Sequence, residues 1–156
     1  MELLGQTLRQ RLSYATCAVA LVFSLSVYKS SVSANPLSAA QRHWEAIASA
    51  NPELLATRYS DGAVLKRSYG ISDVDEIYQG NSIYSAWQKF FWQYQIRELQ
   101  VVKQQQRDRT VEAQIQITAK SRRGTVVVLS MSYQVQFDKT GKIIKEVWQT
   151  NPEVSV

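Results

Sequence analysis

The sequence predicts an α+β fold in which three N-terminal helices lie in the concave face of a curved antiparallel sheet. Three observations carry this. Apolar residues recur at helical spacing through the first half of the chain, the period changes to two from Gln95 onward, and one helix has an aromatic face too wide to leave in water. With 156 residues, 45% of them hydrophobic and 20% charged, the chain fits one globular domain and not a collagen-like, disordered or disulfide-scaffold protein.

The first helix is expected from Ser38 to about Ala50. Ser38 and Gln41 have the spacing of a capping box, and Ala40, Trp44 and Ile47 form the inward stripe. Asn51-Pro52-Glu53 restarts the chain, with Asn as N-cap and Pro at the first helical position, where its missing N–H costs nothing. This short helix presents Leu54, Leu55 and Tyr59. Ser60-Asp61-Gly62 is expected to end it, and Ala63-Val64-Leu65 to form a short strand paired with residues 68–71. The third helix follows Tyr78-Gln79-Gly80-Asn81, and Ile83, Trp87, Phe90, Phe91 and Tyr94 share one of its faces.

Beyond it the sequence alternates. Val111, Ala113, Ile115 and Ile117 interleave with Glu112, Gln114, Gln116 and Thr118; Val127, Leu129, Met131, Tyr133, Val135 and Phe137 interleave with polar neighbours and Val128. Each strand therefore has a dry face and a wet one. Arg122-Arg123-Gly124 and Asp138-Lys139-Thr140-Gly141 supply the hairpin turns, and residues 142–150 the last strand.

Residues 1–34 differ in kind. Arg9 and Arg11 precede a mostly apolar run over residues 12–28, and Val32-Ser33-Ala34 makes a small-residue exit. That pattern reads as a secretory signal cleaved near Ala34, leaving 35–156 as the exported domain, periplasmic or secreted; the alternative is an uncleaved anchor over residues 12–28. At 17 residues the run is short for a bilayer span, which needs roughly 20. Cys17 is poorly placed for a lipoprotein box, so no lipid anchor is expected. Without this segment 15 basic and 12 acidic residues remain, a net charge of +3 and no cysteine. The fold must then rest on its apolar core, and a thiol nucleophile or Cys-based metal site is excluded.

The order of Trp44, Asn51-Pro52-Glu53-Leu54-Leu55, Tyr59-Ser60-Asp61-Gly62-Ala63-Val64-Leu65, Tyr78-Gln79-Gly80 with Ile83 and Trp87, and Phe137-Asp138-Lys139-Thr140-Gly141-Lys142-Ile143 resembles the nuclear transport factor 2-like superfamily, which includes polyketide-cyclase-like proteins. The resemblance covers roughly residues 38–150. It implies a cone-shaped α+β barrel, open at one end to a pocket between helices and sheet, and in many members a dimer formed through the sheet. It does not choose an activity, since members include isomerases, dehydratases, epoxide hydrolases, cyclases and non-catalytic domains.

If the dry faces line the cone, Tyr133 points inward. On the last strand Ile144, Glu146 and Trp148 are taken as inward, partly from the family pattern, with Lys145 and Val147 outward. Glu146 is then the foremost catalytic candidate, because burial among apolar groups raises a carboxyl pKa and tunes it as a general base or acid; pairing with Lys145, Lys142 or water is the alternative. Asp61 is the second carboxylate, although Asp-Gly is also ordinary turn chemistry. His43, the only histidine, serves either as a lone proton shuttle or as a helix-border residue packed on aromatics. Tyr59, Trp87, Tyr133 and Trp148 with His43 are the candidate pocket wall for a small apolar or aromatic ligand, or simply an aromatic core.

Family mechanisms are incompletely matched. Epoxide-hydrolase-like relatives imply an Asp near the place of Trp148, and dehydratase-like relatives more than one His. Two functions follow as expectations: an exported domain that binds a small ligand or a partner and has no complete catalytic set, or a small isomerase or cyclase acting on a hydrophobic carbonyl compound with Glu146 or Asp61 as general base. No cofactor and no metal are expected. The wet face, with Gln114, Gln116, Ser130, Ser132, Gln134 and Gln136, suits a homodimer. Nucleic acid is not an expected partner, because Arg107 and Arg109 lie at the opposite end of a strand from Lys120, Arg122 and Arg123. A membrane is expected only if the N-terminal segment stays attached.

Overall fold

The computed structural model describes residues 33–69 and 75–151; the expected signal segment up to residue 32, with its apolar run, lies outside them. Residues 32–156 form one compact unit. Three helices, α1 (Pro36–Ala48), α2 (Pro52–Ala56) and α3 (Asn81–Gln93), pack against a six-stranded curved sheet. Its strands are β1 (Tyr59–Tyr69), β2 (Asp75–Gln79), β3 (Tyr94–Arg107), β4 (Thr110–Ser121), β5 (Val126–Phe137) and β6 (Ile143–Thr150), in the spatial order β2-β1-β6-β5-β4-β3. The α+β class and the helices-on-sheet arrangement are those predicted.

Local chemistry places several boundaries differently. The first helix begins at Pro36, and the Asn35 side chain, not Ser38, accepts from an early amide, that of Leu37, at 2.9 Å. Asn51 caps α2 in the same way, with Pro52 at the first position as expected. Ser60-Asp61-Gly62 does not break the chain: it lies inside the 11-residue β1, which absorbs it through a register shift between Tyr59 and Val64. Tyr94 opens β3 instead of closing α3. One pairing is also not antiparallel, because β1 runs parallel to β6. Pairing the two closes the middle of the sheet with segments about 80 residues apart in sequence, an arrangement that alternation alone does not encode.

The dry faces are otherwise as read. Val111, Ala113, Ile115 and Ile117 from β4 and Met131, Tyr133, Val135 and Phe137 from β5 are buried, and Val127 and Leu129 pack half-buried at the edge of the core. Ile83, Trp87 and Phe90 of α3 meet them from the helical side, with Ala40, Trp44 and Ile47 of α1. On β6 a register shift beside Phe137 turns Ile143 into the core and leaves Ile144 half-buried, correcting the expected inward set; Glu146 and Trp148 do point inward. Among the described residues every buried apolar side chain of the core lies between Ala39 and Trp148.

Candidate functional site: a sealed carboxylate between two indoles

β6 holds Glu146 at the centre of the sheet, opposite Leu65 of β1 and Val135 of β5. Its side chain is 0% exposed. A carboxylate in such a place is tolerable only if its lone pairs are met by donors. They are met fully. Oε1 accepts from His43 Nε2 at 3.2 Å, Tyr133 OH at 2.7 Å and Trp148 Nε1 at 2.5 Å, and Oε2 accepts from Tyr59 OH in a short bond. Trp87 Nε1 in turn donates to the Tyr59 oxygen at 2.9 Å. These donors come from α1, β1, α3, β5 and β6, so one carboxylate ties together the helical layer and the sheet.

Burial by itself pushes the Glu146 carboxyl up, but His43, through its field and its hydrogen bond, and the Tyr59 and Tyr133 hydroxyls outweigh it and hold the group below its usual range. The expected raised acid is therefore corrected. These three donors on the charged form win over the apolar walls. The phenols move the other way: burial first, then the negative charge of Glu146, pushes Tyr59 and Tyr133 well above the ordinary tyrosine range.

Arg67, which sequence reasoning missed, is a second buried charged residue beside this network. It is only 3% exposed, it donates to the Ala86 carbonyl at 3.2 Å, and its Nε and Nη2 are buried without hydrogen-bond partners. Its guanidinium carbon lies 4.9 Å from the ring centre of Trp148 and 4.9 Å from that of Trp87, with Phe90 at 5.4 Å and Tyr78 at 5.7 Å. The two indoles thus present their π faces to a cation while one N–H meets the Glu146 carboxylate and the other the Tyr59 oxygen. The signal was available in the alternation: Ala63, Leu65 and Arg67 share the inward face of β1.

The expected pocket residues are all brought together, and their rings fill the space between helices and sheet. Trp87 and Trp148 meet at 4.9 Å between centres, Phe90 and Trp148 at 5.5 Å, His43 and Tyr59 at 5.7 Å, and Trp44 and Tyr133 at 6.0 Å. Asp61 is exposed and stands apart from Glu146. It shares with Tyr59, Asn81, Ile83 and Tyr84 an open cavity of about 290 Å³ between β1 and α3, which Glu146 does not line. A second cavity, of about 330 Å³, lies on the outer face of the sheet among Gln105, Glu112, Gln114, Ser132, Gln134 and Gln149. Among the described residues no group of three or more His, Cys, Asp or Glu side chains is arranged to hold a metal ion.

No family model matches this sequence, and no curated protein matches it. Solved structures do resemble the fold. A protein of Bacillus subtilis provisionally assigned as an isomerase superposes with a TM-score of 0.64 at 14% identity, over 76% of this chain and 91% of that one. The BvnE pinacolase of Penicillium brevicompactum gives 0.65 at 10% identity, over 74% and 85%, and AusH of Aspergillus nidulans 0.66 at 14%, over 74% and 83%. At such identities the likeness establishes a shared architecture and leaves chemistry to the residues themselves.

Proposed function

We propose that this chain is an exported, non-catalytic binding domain of the nuclear transport factor 2-like superfamily, whose conical interior is a structural core. The saturation of Glu146 carries the reading. A general base must come within about 2.6–3.2 Å of the proton it removes, and that shell is filled here by His43, Tyr59, Tyr133 and Trp148. A carboxylate held below its usual range is also a weaker base than one tuned upward. Binding is then expected on the outside, where the groove around Gln114, Ser132 and Gln134 offers polar, largely uncharged side chains.

The isomerase reading keeps one specific support. Tyr59 belongs to the carboxylate network and also lines the cavity that holds Asp61. It requires a substrate in that cavity to exchange a proton through the Tyr59 hydroxyl. Titrating the protein with small aromatic carbonyl compounds, followed by amide NMR, separates the two. The binding reading expects shifts confined to the outer face and the same affinity in Glu146→Gln. Turnover of a compound that disappears in both Glu146→Gln and Tyr59→Phe, with the fold of each variant intact, would replace it with the enzyme.

A further inference from the structure

Trp92 is the one tryptophan of this chain that has no place in the core: it is 66% exposed, whereas Trp44, Trp87 and Trp148 are buried. Five residues beyond Trp87 on a helix of 3.6 residues per turn, it points well away from the inward stripe. Its surroundings are built. The hairpin between β4 and β5 is clamped to the end of α3 by the Arg122 amide, which donates to the Gln93 carbonyl at 3.0 Å, and closed by the Gly124 amide on the Ser121 carbonyl at 2.9 Å. Gly124 takes φ +90°, a conformation a side chain would strain. This clamp sets the Arg122 guanidinium 3.6 Å from the centre of the Trp92 ring. Lys120 and Arg123 join them around a surface hollow of about 380 Å³, and none of its lining residues is acidic.

We propose that this tip, Trp92 with Lys120, Arg122 and Arg123, is a docking point for an anionic phospholipid surface. Three cations without a carboxylate among them attract a negatively charged face, and an indole suits the boundary between headgroups and acyl chains. A nucleic acid fits less well. One face of the ring is already covered by Arg122, which leaves less of it for base stacking, and the cations form a compact tip instead of a stripe that could track a phosphate chain. As the expected signal or anchor, the apolar run at residues 12–28 would also bring this chain to a bilayer during or after export. The tip adds a contact made by the folded domain itself, whatever the cone encloses.

Residues 32–156 form a compact unit that holds every buried apolar side chain found among the described residues, so the test uses this unit, free of the apolar run. It is mixed with vesicles of pure phosphatidylcholine or of phosphatidylcholine with 30 mol% phosphatidylglycerol. Sedimentation with the anionic vesicles only, weakened by salt, is expected, and the double variant Arg122→Glu/Arg123→Glu should lower partitioning by about tenfold or more. Because the other three indoles are buried, a blue shift of tryptophan emission on binding, absent in Trp92→Phe, reports insertion of this ring alone. All four exposed positions can be changed without touching the core, and near-ultraviolet dichroism checks that the variants fold. Failure to sediment with anionic vesicles, sedimentation equal in the double variant, or binding to single-stranded DNA in the absence of vesicle binding would each overturn the proposal.

Discussion

Glu146 shows how a single buried charge is made compatible with a core. Hydrogen bonds to charged groups contribute about 1.5–3 kcal/mol each, and removing one partner of a buried ionic group costs about 3–5 kcal/mol because the other is stranded. Glu146→Ala should therefore destabilise the protein by about 3–5 kcal/mol, read from urea unfolding, since it strands two phenols, an indole and an imidazole. The pH dependence has a definite sign. The folded carboxyl lies below its unfolded value, so its contribution is present above the ordinary Glu range and is lost as pH falls through the folded value. Tyr59 and Tyr133 lie above theirs, so their contribution is present below about pH 10 and is lost as pH rises towards the folded values. Asp75, held down by hydrogen bonds from Lys66 and Ser68, contributes in the same acid limb. The difference between wild type and Glu146→Gln, measured from pH 3 to 7, isolates the central carboxylate: the gap should be widest near pH 7 and shrink in acid. A gap independent of pH would show that the carboxyl titrates alike in the folded and unfolded protein, and a gap that narrows towards pH 7 that it is neutral when folded.

At the scale of elements, what was legible followed from local periodicity, and what was missed followed from contacts between distant segments. The two-residue period located the dry faces of β4 and β5 and put Glu146 and Trp148 on one face, which the family resemblance helped to turn inward. It could not place the register shift beside Phe137 that exchanges Ile144 for Ile143, because a bulge is set by the turn and the partner strand. The Asn-Pro signature that correctly started α2 also starts α1 at Asn35-Pro36, but there the capping-box spacing of Ser38 and Gln41 was taken as the start instead. Arg67 was overlooked because its strand was cut short at Leu65; with β1 drawn to its full length the alternation carries a charge inward. The hairpin before β6 makes a quantitative test. Gly141 has φ +84°, and a Cβ placed there would approach the Ala34 Cβ to 2.8 Å. Gly141→Ala should cost about 1–2 kcal/mol from the left-handed backbone alone, plus the clash. Thermal melts should show the clash component relieved by adding Ala34→Gly, while the backbone component remains. A loss in Gly141→Ala that Ala34→Gly does nothing to relieve would mean that the Ala34 segment does not pack on this turn.

The whole molecule presents an outer sheet face that the helices do not cover. Gln114, Gln116, Gln134 and Gln136 are exposed there, Ser130 and Ser132 are half-buried between them, and the Gln114 amide donates to the Ser132 hydroxyl at 3.2 Å. Side chains bonded to one another in this way lose less freedom when a second surface covers them, and the near absence of charge reduces what must be desolvated. A two-fold pairing of the face with its own copy is the geometry that satisfies both surfaces at once, provided it covers about 800 Å² on each partner. Light scattering on residues 32–156 is expected to give twice the monomer mass at micromolar concentration. Gln134→Lys together with Gln136→Lys would set four cations against one another across the axis and should return the monomer, with the buried aromatic signature unchanged because neither residue reaches the core. The same variants leave Trp92 and Arg122 untouched, so vesicle binding by the monomer would separate the two surfaces: one for self-association through the sheet, the other at the tip between α3 and the β4–β5 hairpin. A monomer at every concentration, in wild type as in the variant, would leave the sheet face as ordinary solvated surface and assign binding to the tip alone.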